Sequence, residues 1–266
     1  MDETNELLTE KRGRIGTLRF NRPERRNALS PQLLIGLHET LTAWRQEDEI
    51  RSVVITGAGE KAFSSGYDIL AIPTDVTPEM AQRIRESNPL ELALASVKDF
   101  PYPTIAMVNG HCFGGALNLA LCCDIRIGAD DIAVGMPAAR LGVVYPCDGV
   151  AQFVQVLGVA RAREVFFAAR TYRGAEVQAM GLVDRLVPRA ELEATSYGLA
   201  EEIAGNAPLA LKGIKRTLNL IEASAVLSPD TRRECEALMA AAFQSEDIKE
   251  GQLAFIGKRK PHFVGR

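Results

Sequence analysis

Two short stretches carry backbone from which a reactive site can be built: Ser64-Ser65-Gly66-Tyr67-Asp68 and Cys112-Phe113-Gly114-Gly115-Ala116-Leu117-Asn118. In the second, a β-branched apolar run (Thr104–Val108) and a turn at Gly110 lead to Gly114-Gly115. A run of Ala, Leu and Asn follows, suited to a helix packed on all sides. Paired glycines at a strand-to-helix turn let the backbone approach a ligand closely. The first N–H groups of such a helix are unpaired and sit at the positive end of its dipole. That suits an anion, whether a bound phosphate or an oxyanion formed during a reaction. Both loops follow buried strands, and ligands in α/β folds favour the carboxyl ends of strands. With those strands as neighbours, the N–H groups of Tyr67 and Gly115 would point at one oxygen. Each donor of such an oxyanion hole is worth about 3–4 kcal/mol. Two ordinary turns, with glycines serving only close packing, are the competing reading.

Two other chemistries fit less well. His111, Cys112, Cys122 and Cys123 match no zinc-ligand spacing, and an apolar helix accounts for Cys122 and Cys123. The order strand, GHCFGG, helix, strand, Asp130-Asp131 outlines a nucleotide-binding unit, but the glycines are not spaced G-x-G-x-x-G. No tyrosine is followed four residues later by lysine. We therefore expect neither a metal nor a redox cofactor. His111, the one histidine near either motif, is expected to be a satisfied buried side chain.

The elements that must hold these loops can be read along the chain. At 266 residues and 47% hydrophobic, it can bury a full core. A net charge of −3 argues against a nucleic-acid or membrane-surface role. The stretch MDETNELLTEKRGRIG is too charged for a signal peptide, and no apolar run reaches the roughly 18 residues of a membrane span. Five cysteines, two adjacent, form no disulfide framework and fit reduced thiols in the cytoplasm. RIGTLRF at 14–20 predicts a first strand, and NRPERRNALSP a loop ending in a helix with Ser30 as N-cap and Pro31 at its first position. Leu33, Leu37, Leu41 and Trp44 share one face of that helix. A strand is expected at 52–56, a polar loop at 57–68, and a helix over 78–100 interrupted at Ser87-Asn88-Pro89. Strands follow at 104–108, 125–128, near 132–134 and at 182–187. From 191 onward the pattern is helical, including 208–221 and 230–244. Alternating strand, loop and helix indicates α/β architecture, with residues 1–190 as a core and 191–266 as a helical tail used in assembly.

These segments, taken together, resemble the crotonase (enoyl-CoA hydratase/isomerase) superfamily. NRPERRNALS, SSGYDI, VNGHCFGGALNLALCCDIRIGAD, GMPAARLGVVYP and EGQLAFIGKRKPHF occur in the family's order across nearly the whole chain. The resemblance implies a spiral of β-β-α units followed by C-terminal helices that build a homotrimer or homohexamer. It implies an acyl-CoA thioester as substrate, no other cofactor, and the thioester carbonyl held between the N–H groups of Tyr67 and Gly115. It places the adenine and pantetheine along Arg25, Ala28, Ser65, Asp68 and Ile69. Gly66, Gly110, Gly114, Asn118, Pro137, Ala138 and Leu141 are also assigned to the substrate site. Phe255 and Lys258 match tail positions that reach the CoA of a neighbouring subunit, and Lys258-Arg259-Lys260 suits a CoA phosphate.

The likeness also exposes a departure. The family's hydratases position and activate water with two glutamates, and the matching positions here are Asn118 and Ala138. Neither takes a proton near neutral pH, so hydration should be poor. Decarboxylation of a malonyl-type thioester needs the hole but no carboxylate base, because loss of CO2 itself leaves the electron pair. Carboxylates in the pocket would repel the substrate's own. Tyr145, in RLGVVYPCDGV, resembles a functional tyrosine in the superfamily's decarboxylases of methylmalonyl-CoA, where it would orient the carboxylate or protonate the enolate. Those decarboxylases typically carry histidine where this chain has Tyr67, and glutamate where it has Asn118. Asp148 could act as nucleophile or acid, but the pattern favours it as N-cap of a helix at 150–157. Asp68 is expected to fix its loop. The alternatives are an enoyl-CoA isomerase or weak hydratase using Tyr145 or Asp148, and a non-catalytic acyl-CoA binder.

Overall fold

The computed structural model describes residues 5–68, 88–223 and 228–264. Its strands are β1 (Leu7–Arg12), β2 (Ile15–Phe20), β3 (Ser52–Gly57), β4 (Ala62–Ser64), β5 (Thr104–Val108), β6 (His111–Phe113), β7 (Ile125–Ala129), β8 (Ala133–Gly135), β9 (Thr171–Arg173) and β10 (Arg185–Val187). One sheet runs β1-β2-β3-β5-β7-β10, parallel apart from the β1–β2 hairpin. The second runs β4-β6-β8-β9, with β9 antiparallel. Each of the pairs β3/β4, β5/β6 and β7/β8 sends its first strand to the large sheet and its second to the small one, the repeating β-β-α unit expected above. β3 and β5 are buried along their length, so they read as continuous apolar runs and not as alternating ones.

Helix α1 (Pro31–Glu47) starts as its sequence requires: the Ser30 hydroxyl accepts the Leu33 N–H at 3.1 Å, and Pro31 opens the first turn. Its buried face is Leu33, Leu34, Leu37, Leu41 and Trp44. The Trp44 ring fills the space over Gly16, where a Cβ would meet it at 2.3 Å. α2 (Pro89–Lys98) is capped by Asn88, whose side chain accepts the Leu90 N–H at 3.0 Å. The expected helix at 78–87 lies outside the described residues. α3 (Gly115–Cys122) is buried on every side. α4 (Cys147–Ala168) extends well beyond the expected 150–157 and is broken by Gly158 at φ +76°.

After α5 (Ala175–Ala179), α6 (Leu192–Ala204) lies against β3, β5 and β7 and buries Leu192, Ser196, Ala200 and Ala204. The chain ends in α7 (Pro208–Ala223), α8 (Pro229–Phe243) and α9 (Glu246–Ile256). α7 is docked by one almost buried cation. Lys215 Nζ donates to Asp124 Oδ2 at 2.6 Å and to the Tyr102 carbonyl at 3.1 Å. The same oxygen of Asp124 accepts the Thr104 N–H at 2.7 Å, so one carboxylate ties together the start of β5, the end of α3 and the tail. No described helix is long and apolar enough to cross a membrane.

Removing Lys215 leaves the part-buried Asp124 carboxylate without its cation, though still hydrogen-bonded to Thr104. Lys215→Ala should lower the unfolding free energy by about 2–3 kcal/mol in chemical denaturation. Lys212→Ala, which breaks the surface pair with Asp48, should cost much less. Equal losses would show that burial does not set the strength of the Lys215 contact.

Candidate active site

The site is assembled at the carboxyl ends of β4, β6 and β8. Its first wall depends on Asn27, which is fully buried at φ +55°. Asn27 Nδ2 donates to the carbonyls of Ala58 (3.0 Å) and Ala62 (2.8 Å), and Oδ1 accepts the Arg22 N–H at 3.0 Å. The loop so fixed bonds to the loop after β4. Leu29 N–H donates to the Gly66 carbonyl at 2.9 Å, Asp68 N–H to the Leu29 carbonyl at 3.0 Å, and Ser65 N–H to the Arg26 carbonyl at 2.9 Å. Asp68 also meets Arg22 at 3.4 Å, consistent with a loop-fixing role. The structure therefore brings Arg25, Ala28, Ser65, Gly66 and Asp68 to one wall, while Ile69 lies outside the described residues.

The two loops then touch. Gly66 has φ +98°, and a Cβ there would sit 2.6 Å from the Phe113 carbonyl oxygen and 3.5 Å from the Gly115 nitrogen. A Cβ on Gly115 would lie 3.6 Å from the Tyr67 nitrogen. The Tyr67 and Gly115 nitrogens are thus side by side, and neither N–H donates a hydrogen bond among the described residues. Gly114 anchors the turn by donating to the Gly135 carbonyl at 2.9 Å. Two adjacent free N–H groups, one of them at a helix N-terminus, match the geometry that stabilises an oxyanion.

Asn118, in the first turn of α3, pairs with Tyr145. Asn118 is buried, and its Oδ1 accepts the Tyr145 hydroxyl at 3.0 Å. The Tyr145 ring packs against Phe153 and Phe166, with centroids 6.3 and 5.7 Å away, and over Gly149, where a Cβ would meet Cε1 at 2.4 Å. Burial pushes the phenol well above its usual value, with the Cys122 thiol and the Glu91 carboxylate adding to the effect. Burial, and then Asp68, also raises Tyr67. The Cys122 thiol is pushed up to about 12 by burial, which leaves it unreactive at neutral pH. Pro137 and the buried Ala138 lead into a 3-10 turn ending at Leu141, whose backbone lies against Gly251 of α9.

Several expectations are placed differently. Asp148 is not the cap of α4. Pro146 holds that position, and Asp148 sits one residue into the helix with both carboxylate oxygens on Arg232, at 2.6 and 2.7 Å. His111 is only half-buried, and its Nδ1 has no partner among the described residues, although the ring stacks on Phe113. Gly110 lies at the opposite end of β6 from Gly114, lining a separate 240 Å³ cavity with Arg26, Lys61 and Arg189. Phe255 and Lys258 are exposed on and after α9. The sequence reading passed over Leu90, whose methyls lie 3.3 and 3.6 Å from a Cβ position on Gly115, and over Gly149. Only the i, i+4 spacing from Tyr145 could have signalled Gly149. Among the described residues, no three His, Cys, Asp or Glu side chains cluster as a metal would need.

Residues 10–266 match the enoyl-CoA hydratase/isomerase family, and the chain belongs to it. It is 31% identical to the short-chain-enoyl-CoA hydratase of Clostridium acetobutylicum, over 97% of each chain. It is 30% identical to the methylmalonyl-CoA decarboxylase of Escherichia coli K12, over 95% of each. A solved methylmalonyl-CoA decarboxylase in complex with 2-nitronate-propionyl-CoA superposes with a TM-score of 0.90 at 28% identity, covering 98% of this chain and 99% of that one. The protein is an acyl-CoA enzyme of the crotonase superfamily.

The Asn118–Tyr145 contact can be weighed by a double-mutant cycle. Tyr145→Phe leaves the buried Asn118 Oδ1 without its donor and should cost about 1–2 kcal/mol of stability. Made on an Asn118→Leu background, the same change should cost about 1 kcal/mol less. Additive losses would mean that the two groups do not interact.

Proposed function

We propose that this enzyme decarboxylates methylmalonyl-CoA or a closely similar malonyl-type thioester. The observation that carries the reading is a pair of adjacent N–H groups, Tyr67 and Gly115, that donate to nothing among the described residues, with the non-basic Asn118 in the first turn of the helix that Gly115 opens. The hole would take the thioester oxygen. The C–C bond to the carboxylate breaks, CO2 leaves without a proton, and the bonding pair passes into the enolate stabilised by the two N–H groups. The Asn118 amide and the Tyr145 hydroxyl, joined by a hydrogen bond, would orient the departing carboxylate. Likeness to a decarboxylase of known structure supports the reading, while the curated relatives also include hydratases.

In the same reading residues 1–190 hold the acyl-CoA and 191–266 make the oligomer, a trimer or a pair of trimers, in the cytoplasm. Ile214, Leu218 and Ile221 of α7 support this, since each is at least 60% exposed and they recur at helical spacing. Arg25, Ala28, Ser65 and Asp68 would line the CoA, with Phe255 and Lys258 reaching it from a neighbouring copy.

The direct test is mass-spectrometric turnover with methylmalonyl-CoA and crotonyl-CoA side by side. Propionyl-CoA should form while crotonyl-CoA stays unhydrated, and Tyr145→Phe should reduce turnover at least about tenfold, the lower range for loss of a positioned polar group. Efficient hydration of crotonyl-CoA would overturn the decarboxylase reading. Light scattering should give three or six chains per particle, and Leu218→Glu should shift it toward monomer. An unshifted mass would remove α7 from the interface.

A further inference from the structure

Two of the five cysteines stand apart from the other three. Cys112, Cys122 and Cys123 are buried in the core, and burial pushes each thiol far above its ordinary value, so a soluble oxidant leaves them unreacted. Cys147 and Cys235 are only half-buried. Cys147 is the first residue of α4, and Cys235 lies in α8, in the helical tail. The proposed reaction uses neither.

The two helices meet where these cysteines lie. The backbones of α4 and α8 approach with Cα atoms within 8 Å of each other. A disulfide spans roughly 4.4–6.8 Å between Cα atoms, so little movement separates the two arrangements. Next to Cys147, the Asp148 carboxylate accepts from both terminal nitrogens of Arg232, at 2.6 and 2.7 Å. Arg232 and Cys235 are three residues apart on α8 and therefore share the face turned toward α4. The ion pair and the cysteine pair run in one register, 148 with 232 and 147 with 235. Burial, and then contact with the Cys235 thiol, pushes the Cys147 thiol up to about 11. Either cysteine alone could be a small apolar packing residue. Packing does not account for two thiols meeting where a doubly bonded ion pair already fixes the helices.

We propose that Cys147 and Cys235 form a reversible intrachain disulfide that locks the helical tail to the core. The oxidant is a peroxide. It converts the Cys235 thiol to a sulfenic acid, its O–O bond breaks, and one water leaves. The Cys147 sulfur then bonds to the Cys235 sulfur and displaces the hydroxyl as a second water. Both thiol protons depart in those waters, and the two electrons lost by the sulfurs reduce the peroxide. A dithiol reverses the step. Lys215–Asp124 and Arg232–Asp148 tie tail to core through charge, and the disulfide adds a covalent closure of the chain from 147 to 235.

The test exposes the fully reduced protein to hydrogen peroxide at mildly alkaline pH, with Cys147→Ser and Cys235→Ser as controls. Peptide mass spectrometry without reductant should find one bridge, between the peptides carrying 147 and 235. Thiols titrated in denaturant should fall from five to three. The thermal midpoint should rise by about 5–10 °C, as closing a long loop in a chain of this size implies. Dithiothreitol should reverse both changes, and neither serine variant should show them. Bridges only between chains, oxidation only to sulfinic acids, or no loss of thiols in the wild type would overturn the proposal. A 147–235 bridge that leaves the midpoint where it was would overturn the lock.

Discussion

The site depends on one close approach, that of the Gly66 backbone to the Phe113 carbonyl. At φ +98°, with the space for a Cβ taken by that oxygen at 2.6 Å, position 66 tolerates only glycine. The contact follows from pairing β4 with β6, since each strand leads directly into one of the two loops. It sets the Tyr67 and Gly115 nitrogens side by side. Asn27 secures the arrangement from behind by bonding to backbone at both ends of the β3–β4 turn. An oxyanion hole made in this way is a property of the backbone. Its donors do not change when side chains around them do.

That independence explains how chemistry can change while the fold stays constant. In the proposed reading the hole stabilises a thioester oxyanion, and a few neighbouring side chains decide which bond is broken. Here those neighbours form a closed polar pair, Tyr145 to Asn118, set in an aromatic wall of Phe153 and Phe166. The buried Asn118 amide and the half-buried Tyr145 phenol, bonded to each other, are uncharged, which avoids the cost of leaving the amide oxygen unpaired. In the proposed reading they would hold a substrate carboxylate without repelling it. A glutamate at position 118 would place a negative charge where Oδ1 now accepts a proton.

Much of this was legible in the sequence, and the exceptions share a cause. α1 was readable to its cap because Ser30, Pro31 and the Leu33–Trp44 stripe are local signals. β3, β5 and β7 were readable because buried parallel strands are continuous apolar runs. β4 and β6 have three residues each, too few to show a period, and β1 is a charged edge strand with only Leu7 buried. The two glycine loops stood out because their function lies in the backbone. Leu90 did not, because α2 reaches the Gly115 turn only through packing that no local pattern records. Asp148 was misread as a cap for the same reason: its partner, Arg232, is 84 residues away.

The tail is joined to the site through α9. Its inward face is Ile248, Gly251 and Ala254, and the glycine is required because a Cβ at 251 would lie 2.4 Å from the Leu141 carbonyl oxygen. A Cβ on Gly142 would likewise lie 2.8 Å from the Asp247 carbonyl oxygen. The turn that begins at Ala138, one of the two positions that distinguish this pocket from a hydratase's, is thus clamped by helix backbone. The outward face of the same helix exposes Leu253, Phe255 and Ile256. Backbone-to-backbone contact leaves no flexible side chain to absorb a displacement. The tail and the 138–141 turn are therefore packed as one unit through α9.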